Sequence, residues 1–332
     1  MQTLLKNTQA YRLLKTESEE GRLSHAYLLL LNDARNLRTA LKTFAKLFFQ
    51  QDFQENSPAF ARICNLIDEE NFSDCLLFPA EGKKLAVEDA EKILEESTLS
   101  PIETQYKVFL IGDFAEANTQ TQNKLLKLLE EPPQGVIFLL GATTVFPVLS
   151  TVLSRTKKLE ILPFDIEEIT QCLTRMYEDR FDNQTLSLCA AASGGSIGEA
   201  QNIAEGGHYQ TLVENAFHLV LTENSRMPAL IKQIGDTKQQ KELLTLLRLI
   251  FRDALLVKTA KNKGDIADFQ EKILLKGETA RIQRTAELYS LPALLYAQEA
   301  ISEAEKQVKF NAVFPQCIQL CIANIRQYSS KK

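Results

Sequence analysis

The first apolar run, His25-Ala-Tyr-Leu-Leu-Leu-Leu31, passes through Asn32-Asp-Ala-Arg-Asn36 into an amphipathic segment that begins Leu37-Arg38. A strand, a short loop and a helix N-terminus in that order form the frame on which proteins hold phosphate, because the helix's first N–H groups point at the anion. The full motif, G-x-x-x-x-G-K-[ST], adds glycines so that the backbone can wrap the phosphates, a lysine for their charge and a hydroxyl for magnesium. Here Leu31 and Asn36 stand where the glycines belong, Leu37 where the lysine belongs and Arg38 where the Ser/Thr belongs. Those side chains intrude on the cradle, and Asp33 would repel a phosphate.

Two other positions tell the same story. The run Val108-Phe-Leu-Ile111 leads into Gly112-Asp113, where nucleotide hydrolysis needs an acidic pair for metal and water. Gly112 removes the metal carboxylate, and Asp113 is one methylene short as a base. Further on, Gly195-Ser-Ile-Gly-Glu-Ala200 has Gly198 where an arginine would touch a γ-phosphate. The joint loss of three parts of one site predicts no nucleotide cofactor, no metal and no catalytic residue acting in cis.

The elements around these positions follow from hydropathy. Strand-like runs fall at Ala26–Leu31, Cys75–Phe78, Lys107–Ile111, Val136–Gly141 and Lys158–Leu162. Between them Leu37–Phe49, Val87–Glu96 and Thr121–Glu130 space their apolar residues three and four apart, as helices do. The alternation predicts an α/β domain with a parallel sheet over residues 1–163, and Pro132-Pro133 stops one of its helices. After Pro163 the strand signal vanishes. Helices are expected at 165–177, 184–192 and 196–204, then, past Gly206-Gly207 as a hinge, at 209–222, 226–234, 238–263, 265–275, 278–288, 292–305 and 311–328. The expected division is an α/β domain (1–163), a small helical lid (164–207) and an all-helical domain (208–332).

Composition narrows the class. At 332 residues with 45% apolar and 24% charged side chains, the chain reads as ordinary globular protein. No run of about 18 apolar residues predicts a membrane span, and no signal-peptide pattern opens the chain, so a cytoplasmic location is expected. The net charge of −5 hides an asymmetry: residues 1–207 carry 20 Lys/Arg against 30 Asp/Glu, and residues 208–332 carry 18 against 13. An acidic N-terminal part is a poor match for a polyphosphate, so unaided DNA binding is not expected. The six cysteines contain no C-x-x-C, and with three dispersed histidines they suggest buried thiols, not a zinc site.

At this point the residues resemble the clamp-loader AAA+ subunits of bacterial DNA polymerase III. The resemblance runs over nearly the whole chain, through Arg22-Leu-Ser-His-Ala-Tyr-Leu28, Asn123-Lys-Leu-Leu-Lys-Leu-Leu-Glu-Glu-Pro-Pro133 and Thr151-Val-Leu-Ser-Arg155. The lid segment and Phe310-Asn-Ala-Val313 add to it. Within that family the subunit with a degenerate nucleotide site is delta-prime, and this sequence looks like that one. The resemblance implies a subunit that is no enzyme by itself but a component of the polymerase III holoenzyme. It implies gamma/tau and delta subunits as partners in a five-membered ring, with the C-terminal domain as the collar. Primed DNA and the sliding clamp would be met through that complex.

The family's Ser-Arg-Cys motif becomes Ser154-Arg155-Thr156 here. The resemblance implies that Arg155 reaches the ATP site of a neighbouring subunit as an arginine finger. On the residues alone, it reads as a surface arginine pairing with a carboxylate near the sheet edge. Relatives also carry a four-cysteine zinc module, of which only Cys64 and Cys75 remain in residues 49–76, so zinc does not transfer. Glu130-Glu131 reads as a helix end with an unfavourable charge, and therefore with a partner elsewhere. Two other readings stay open: an active ATPase with an unusual loop, and a DNA-binding or scaffold protein outside replication on the same fold.

Overall fold

The computed structural model describes residues 1–53, 57–207, 209–223, 226–234, 237, 239–263 and 273–330. The chain divides into two compact units, Met1–Pro163 and Phe164–Lys332.

The first unit is built on five parallel strands, β1 (Ala26–Leu31), β2 (Cys75–Phe78), β3 (Lys107–Ile111), β4 (Val136–Ala142) and β5 (Lys157–Ile161), in the order β2-β3-β4-β1-β5. Every residue of β1, β3 and β4 is buried, which is why their sequences read as unbroken apolar runs. β5 is an edge strand and alternates, burying only Leu159 and Ile161. It ends one residue earlier than its hydropathy suggests because Leu162 is 68% exposed.

Seven helices cover the sheet: α1 (Gln2–Asn7), α2 (Gln9–Glu19), α3 (Leu37–Phe49), α4 (Pro58–Asp68), α5 (Val87–Ser97), α6 (Thr119–Glu130) and α7 (Ser150–Leu153). Local chemistry fixes several of their starts. Thr8 accepts from the Tyr11 N–H at 3.2 Å and opens α2; Ser57 accepts from the Phe60 N–H at 3.1 Å and opens α4, with Pro58 in its first turn. α6 begins at Thr119, two residues before the apolar periodicity, because Asn118 accepts from the Thr121 N–H at 2.8 Å. Residues 58–68, which the sequence left without a fold, are therefore a capped helix that buries Ile63 and Ile67.

The described residues of the second unit contain helices and no strand. They are α8 (Ile166–Tyr177), α9 (Asn183–Ala192), α10 (Ile197–Gly206), α11 (Tyr209–Leu221), α12 (Met227–Ile234), α13 (Gln240–Lys263), α14 (Thr279–Leu288), α15 (Leu291–Lys309) and α16 (Phe314–Ser330). Most of the helix expected at 265–275 lies outside the described residues. Asp182 opens α9 by accepting from the Thr185 N–H at 2.7 Å, and those bonds hold its carboxyl below the usual range. Gly207, expected as a hinge, is the left-handed residue at φ +64° that ends α10. Cys317 and Cys321 are both buried on α16, where they pack as small apolar groups.

The entry into β3 depends on one buried carboxylate. Asp74, fully buried, accepts from the N–H groups of Ile102 (2.7 Å), Glu103 (2.7 Å) and Thr104 (3.0 Å) and from the Thr104 hydroxyl (2.9 Å). Asp74→Ala removes the acceptor and leaves its donors without a partner, so chemical denaturation should show a loss of about 3 kcal/mol. An unchanged denaturation midpoint would mean that water replaces the carboxylate there.

Candidate functional site

The carboxyl end of β1 is where an open parallel sheet presents a ligand seat, and here it is closed. Asp33 and Asn36 are both buried. The Asp33 carboxylate accepts from the Asn36 N–H at 3.1 Å and from the Asn36 side-chain amide at 2.9 Å. An anion from the chain itself thus lies at the first turn of α3, where a phosphate would take those donors. Leu37 does not extend toward a ligand. It packs inward with Leu41 against Gly141 of β4, and a Cβ on Gly141 would stand 3.0 Å from Leu41 Cδ1 and 3.2 Å from Leu37 Cγ. Leu31, at the end of β1, is also buried.

Arg38, at the magnesium-hydroxyl position, is turned the other way. Its Nε donates to Glu70 Oε1 at 2.7 Å and its Nη1 to the Pro79 carbonyl at 2.9 Å, with a further ion pair to Glu70. Lys42 joins Glu70 at 3.2 Å and Lys46 joins Asp68 at 2.6 Å, so one basic stripe of α3 is matched by the acidic end of α4. The bonds from Arg38, foremost, lower the Glu70 carboxyl below its ordinary range.

At the end of β3, Gly112 N–H donates to the Phe78 carbonyl at 2.6 Å and offers no side chain to a metal. Asp113 is already saturated: its carboxylate accepts from the Thr143 hydroxyl at 2.8 Å, the Thr143 N–H at 3.2 Å and the Ala115 N–H at 3.3 Å. Thr143, which the sequence reading passed over, thereby ties the end of β4 to the end of β3. Among the described residues no three His, Cys, Asp or Glu side chains come together as a metal site. These residues do not fit a magnesium nucleotide: the donors are taken, the cation is replaced by hydrocarbon and the metal carboxylate is missing. Gly198 belongs to the second unit, buried in the first turn of α10 behind the Ser196 cap.

Arg155 follows α7 and is a third exposed at its side chain. Its Nη1 donates to the Thr151 carbonyl at 2.8 Å and to Ser154 Oγ at 3.1 Å, and its Nη2 pairs with Glu130 Oε1 at 2.6 Å. Thr156 turns its hydroxyl back to the Val152 carbonyl at 3.1 Å. The Glu130 partner sought from sequence is therefore Arg155, and His25 completes the helix end by donating from Nε2 to the Leu129 carbonyl at 3.0 Å. At the other end of α6, buried Gln122 donates to the carbonyls of Ala117 and Pro147, each at 3.0 Å, and accepts from the Leu149 N–H at 2.9 Å. One helix thus anchors the loop that leads into α7 and holds the guanidinium that follows it. Lys157 and Lys158 are paired with Glu17 at 2.5 Å and Glu160 at 2.7 Å.

Cys75 is buried and Cys64 half-buried, and burial raises both thiols above their ordinary range.

The sheet order and the helices that flank it define a parallel α/β unit, and a helical unit follows it in the chain. Residues 6–165 match the family described as DNA polymerase III, delta subunit. A DNA polymerase III subunit gamma from Buchnera aphidicola subsp. Baizongia pistaciae is 27% identical over 189 residues, which are 56% of this chain and 51% of that protein. The DNA polymerase III subunit delta' of Bacillus subtilis is 27% identical over 176 residues, 53% of this chain and 51% of that one. The Bacillus subtilis DNA clamp loader delta protein is 12% identical, with a TM-score of 0.34, over 96% of this chain and 99% of that structure. The two matched stretches span about half the length of those sequence relatives. Over residues 6–165 the chain is thus similar to subunits of DNA polymerase III.

The Arg38–Glu70 contact carries a pH signature. Because the folded carboxyl lies below its unfolded value, its contribution is present above the unfolded pKa of about 4.3 and is lost as pH falls through the folded one. Glu70→Gln should therefore lower stability modestly at pH 7, by no more than about 1 kcal/mol for so exposed a pair. Denaturation at a series of pH values should show the wild type and the variant converging in acid. A difference that persists at the lowest pH would assign the effect to packing instead.

Proposed function

We propose that this chain is a delta-prime-type subunit of the clamp loader, one that does not hydrolyse ATP and supplies Arg155 to the ATP site of a neighbouring subunit. The observation that carries the reading is a contrast within one unit. At the end of β1, Asp33 takes the Asn36 N–H and Leu37 packs against β4, while Arg155 is a third exposed at its side chain. A neighbour's ATP needs a cation from outside its own subunit, and this chain keeps the cation without keeping a nucleotide site of its own.

In this reading gamma/tau subunits supply the ATPase sites, a delta subunit completes a ring of five, and the sliding clamp and primed DNA are engaged by the assembly. Residues 164–207 serve as the lid and residues 208–332 as the collar. In this reading the chain works in the cytoplasm; no helix among the described residues is long and apolar enough to cross a membrane.

The test is the ATPase of the reconstituted clamp loader on primed DNA, with wild-type or Arg155→Ala chain, after matched assembly has been checked. A cation supplied in trans can be worth on the order of 10³ or more in rate at the site it serves. Turnover should therefore fall by the whole share of that site while the chain alone hydrolyses nothing. Unchanged turnover in a fully assembled complex would reduce the subunit to architecture.

A further inference from the structure

The guanidinium of Arg155 is not extended. It folds back onto the turn it follows, donating to Thr151 one turn earlier, and the Glu130 carboxylate lies against its far edge at 2.6 Å. Three acceptors of the chain itself, Thr151 O, Ser154 Oγ and Glu130 Oε1, therefore take the bonds that a phosphate would take. A carboxylate and a phosphate oxygen present the same acceptor geometry to an arginine fork.

Glu130 is also in a position that needs explaining. It is the last residue of α6, where the helix dipole disfavours negative charge, and Glu131 follows it. His25 already caps the Leu129 carbonyl, so Glu130 is not needed to close the helix end. Its one ion pair among the described residues is the one with Arg155. The two side chains are 34% and 45% exposed, so the pair is weak and can exchange.

We propose that Glu130 parks Arg155 in the free chain and yields it to the neighbour's nucleotide on assembly. This rests on the trans role given to Arg155 above. Parking makes only a fraction of the chains competent to donate the cation at any moment, and the apparent affinity for the neighbour's ATP falls by that fraction. It also keeps a bare guanidinium from pairing with other anions before a partner subunit arrives. Glu130 is in this sense a positioning residue acting through Arg155.

The experiment uses Glu130→Ala, Arg155→Ala, the double variant and Glu131→Ala, which removes a carboxylate from the same helix end without touching the pair. In the free full-length chain, modification of Arg155 by phenylglyoxal, followed by peptide mass, should run about two- to fivefold faster in Glu130→Ala than in wild type, the range set by a weak exposed pair. Glu131→Ala should match wild type. In the reconstituted loader, Glu130→Ala should lower the half-saturating ATP concentration by a similar factor with maximal turnover retained. That gain should disappear in the double variant and shrink for the wild-type comparison at high salt.

Unchanged phenylglyoxal reactivity in Glu130→Ala would overturn parking whatever Arg155 does in the complex. Lower turnover in an assembled Glu130→Ala complex would also overturn it, because the carboxylate would then be aiming the arginine and not restraining it. If Arg155→Ala leaves turnover unchanged, the trans role itself fails, and the free-chain chemistry still reports on the pair.

Discussion

The packing of Leu37 and Leu41 against Gly141 is the contact on which the character of the α/β unit depends. A phosphate-binding loop keeps the first turn of its helix clear, so that backbone N–H groups and a lysine can meet the anion. Here Leu37 stands at the lysine position and packs with Leu41 onto β4, where the missing Cβ at Gly141 lets them approach. Burying one such side chain contributes roughly 1.5–3 kcal/mol. Asp33 finishes the closure by giving the start of α3 an anion from within the chain. Putting lysine back at Leu37 would not rebuild the seat, because the carboxylate and the hydrocarbon would both still be in it.

The second organising piece is α6. Its N-terminal half is fixed to the loop before α7 through Gln122, which bridges Ala117, Pro147 and Leu149. Its C-terminal end receives His25 from the start of β1 and Arg155 from beyond α7. Because β1 and β4 lie side by side in the sheet, these contacts join the start of one central strand to the loop that leaves the other. The turn that precedes Arg155 is thus referred to the core of the unit through a buried amide, while the bonds of the guanidinium itself, to Thr151, Ser154 and Glu130, are exposed.

Much of the α/β unit was legible because its central strands are buried on both faces. Runs such as Tyr27–Leu31 and Val108–Ile111 have no polar interruption, and few other elements look like that. Edges were less clear: Leu162 is apolar but exposed, so hydropathy carried β5 one residue too far. Helix α4 carries a start signal in Ser57-Pro58, but Cys64 and Cys75 in and after it look like the remnant of a zinc module, which obscures the helix. The site was legible as a set of missing groups and not as a set of replacements. Position in a motif says that Leu37 is no lysine; it cannot say that Leu37 meets Gly141, or that Arg38 meets Glu70, since those partners are far away in sequence. The Glu130 charge was seen as unbalanced, but naming Arg155 as its partner needed the fold.

The loss of one chemistry and the retention of another are physically compatible, and the geometry suggests why. A nucleotide site must change as it binds, hydrolyses and releases, and a loop that does this cannot be sealed with leucine. A side chain offered to another subunit has the opposite requirement: it needs a frame that stays fixed while the neighbour changes. Sealing β1 with Leu37, saturating Asp113 with Thr143 and matching Arg38 with Glu70 each remove a place where this unit could respond to nucleotide. None of these contacts involves Arg155. The frame can therefore become more rigid without cost to the residue it carries, and the exposed bonds of the guanidinium, to Thr151, Ser154 and Glu130, are where freedom remains. In the proposed role that is where freedom is useful, since the guanidinium must leave its own chain to act on a partner's phosphate while the strands and helices behind it hold still.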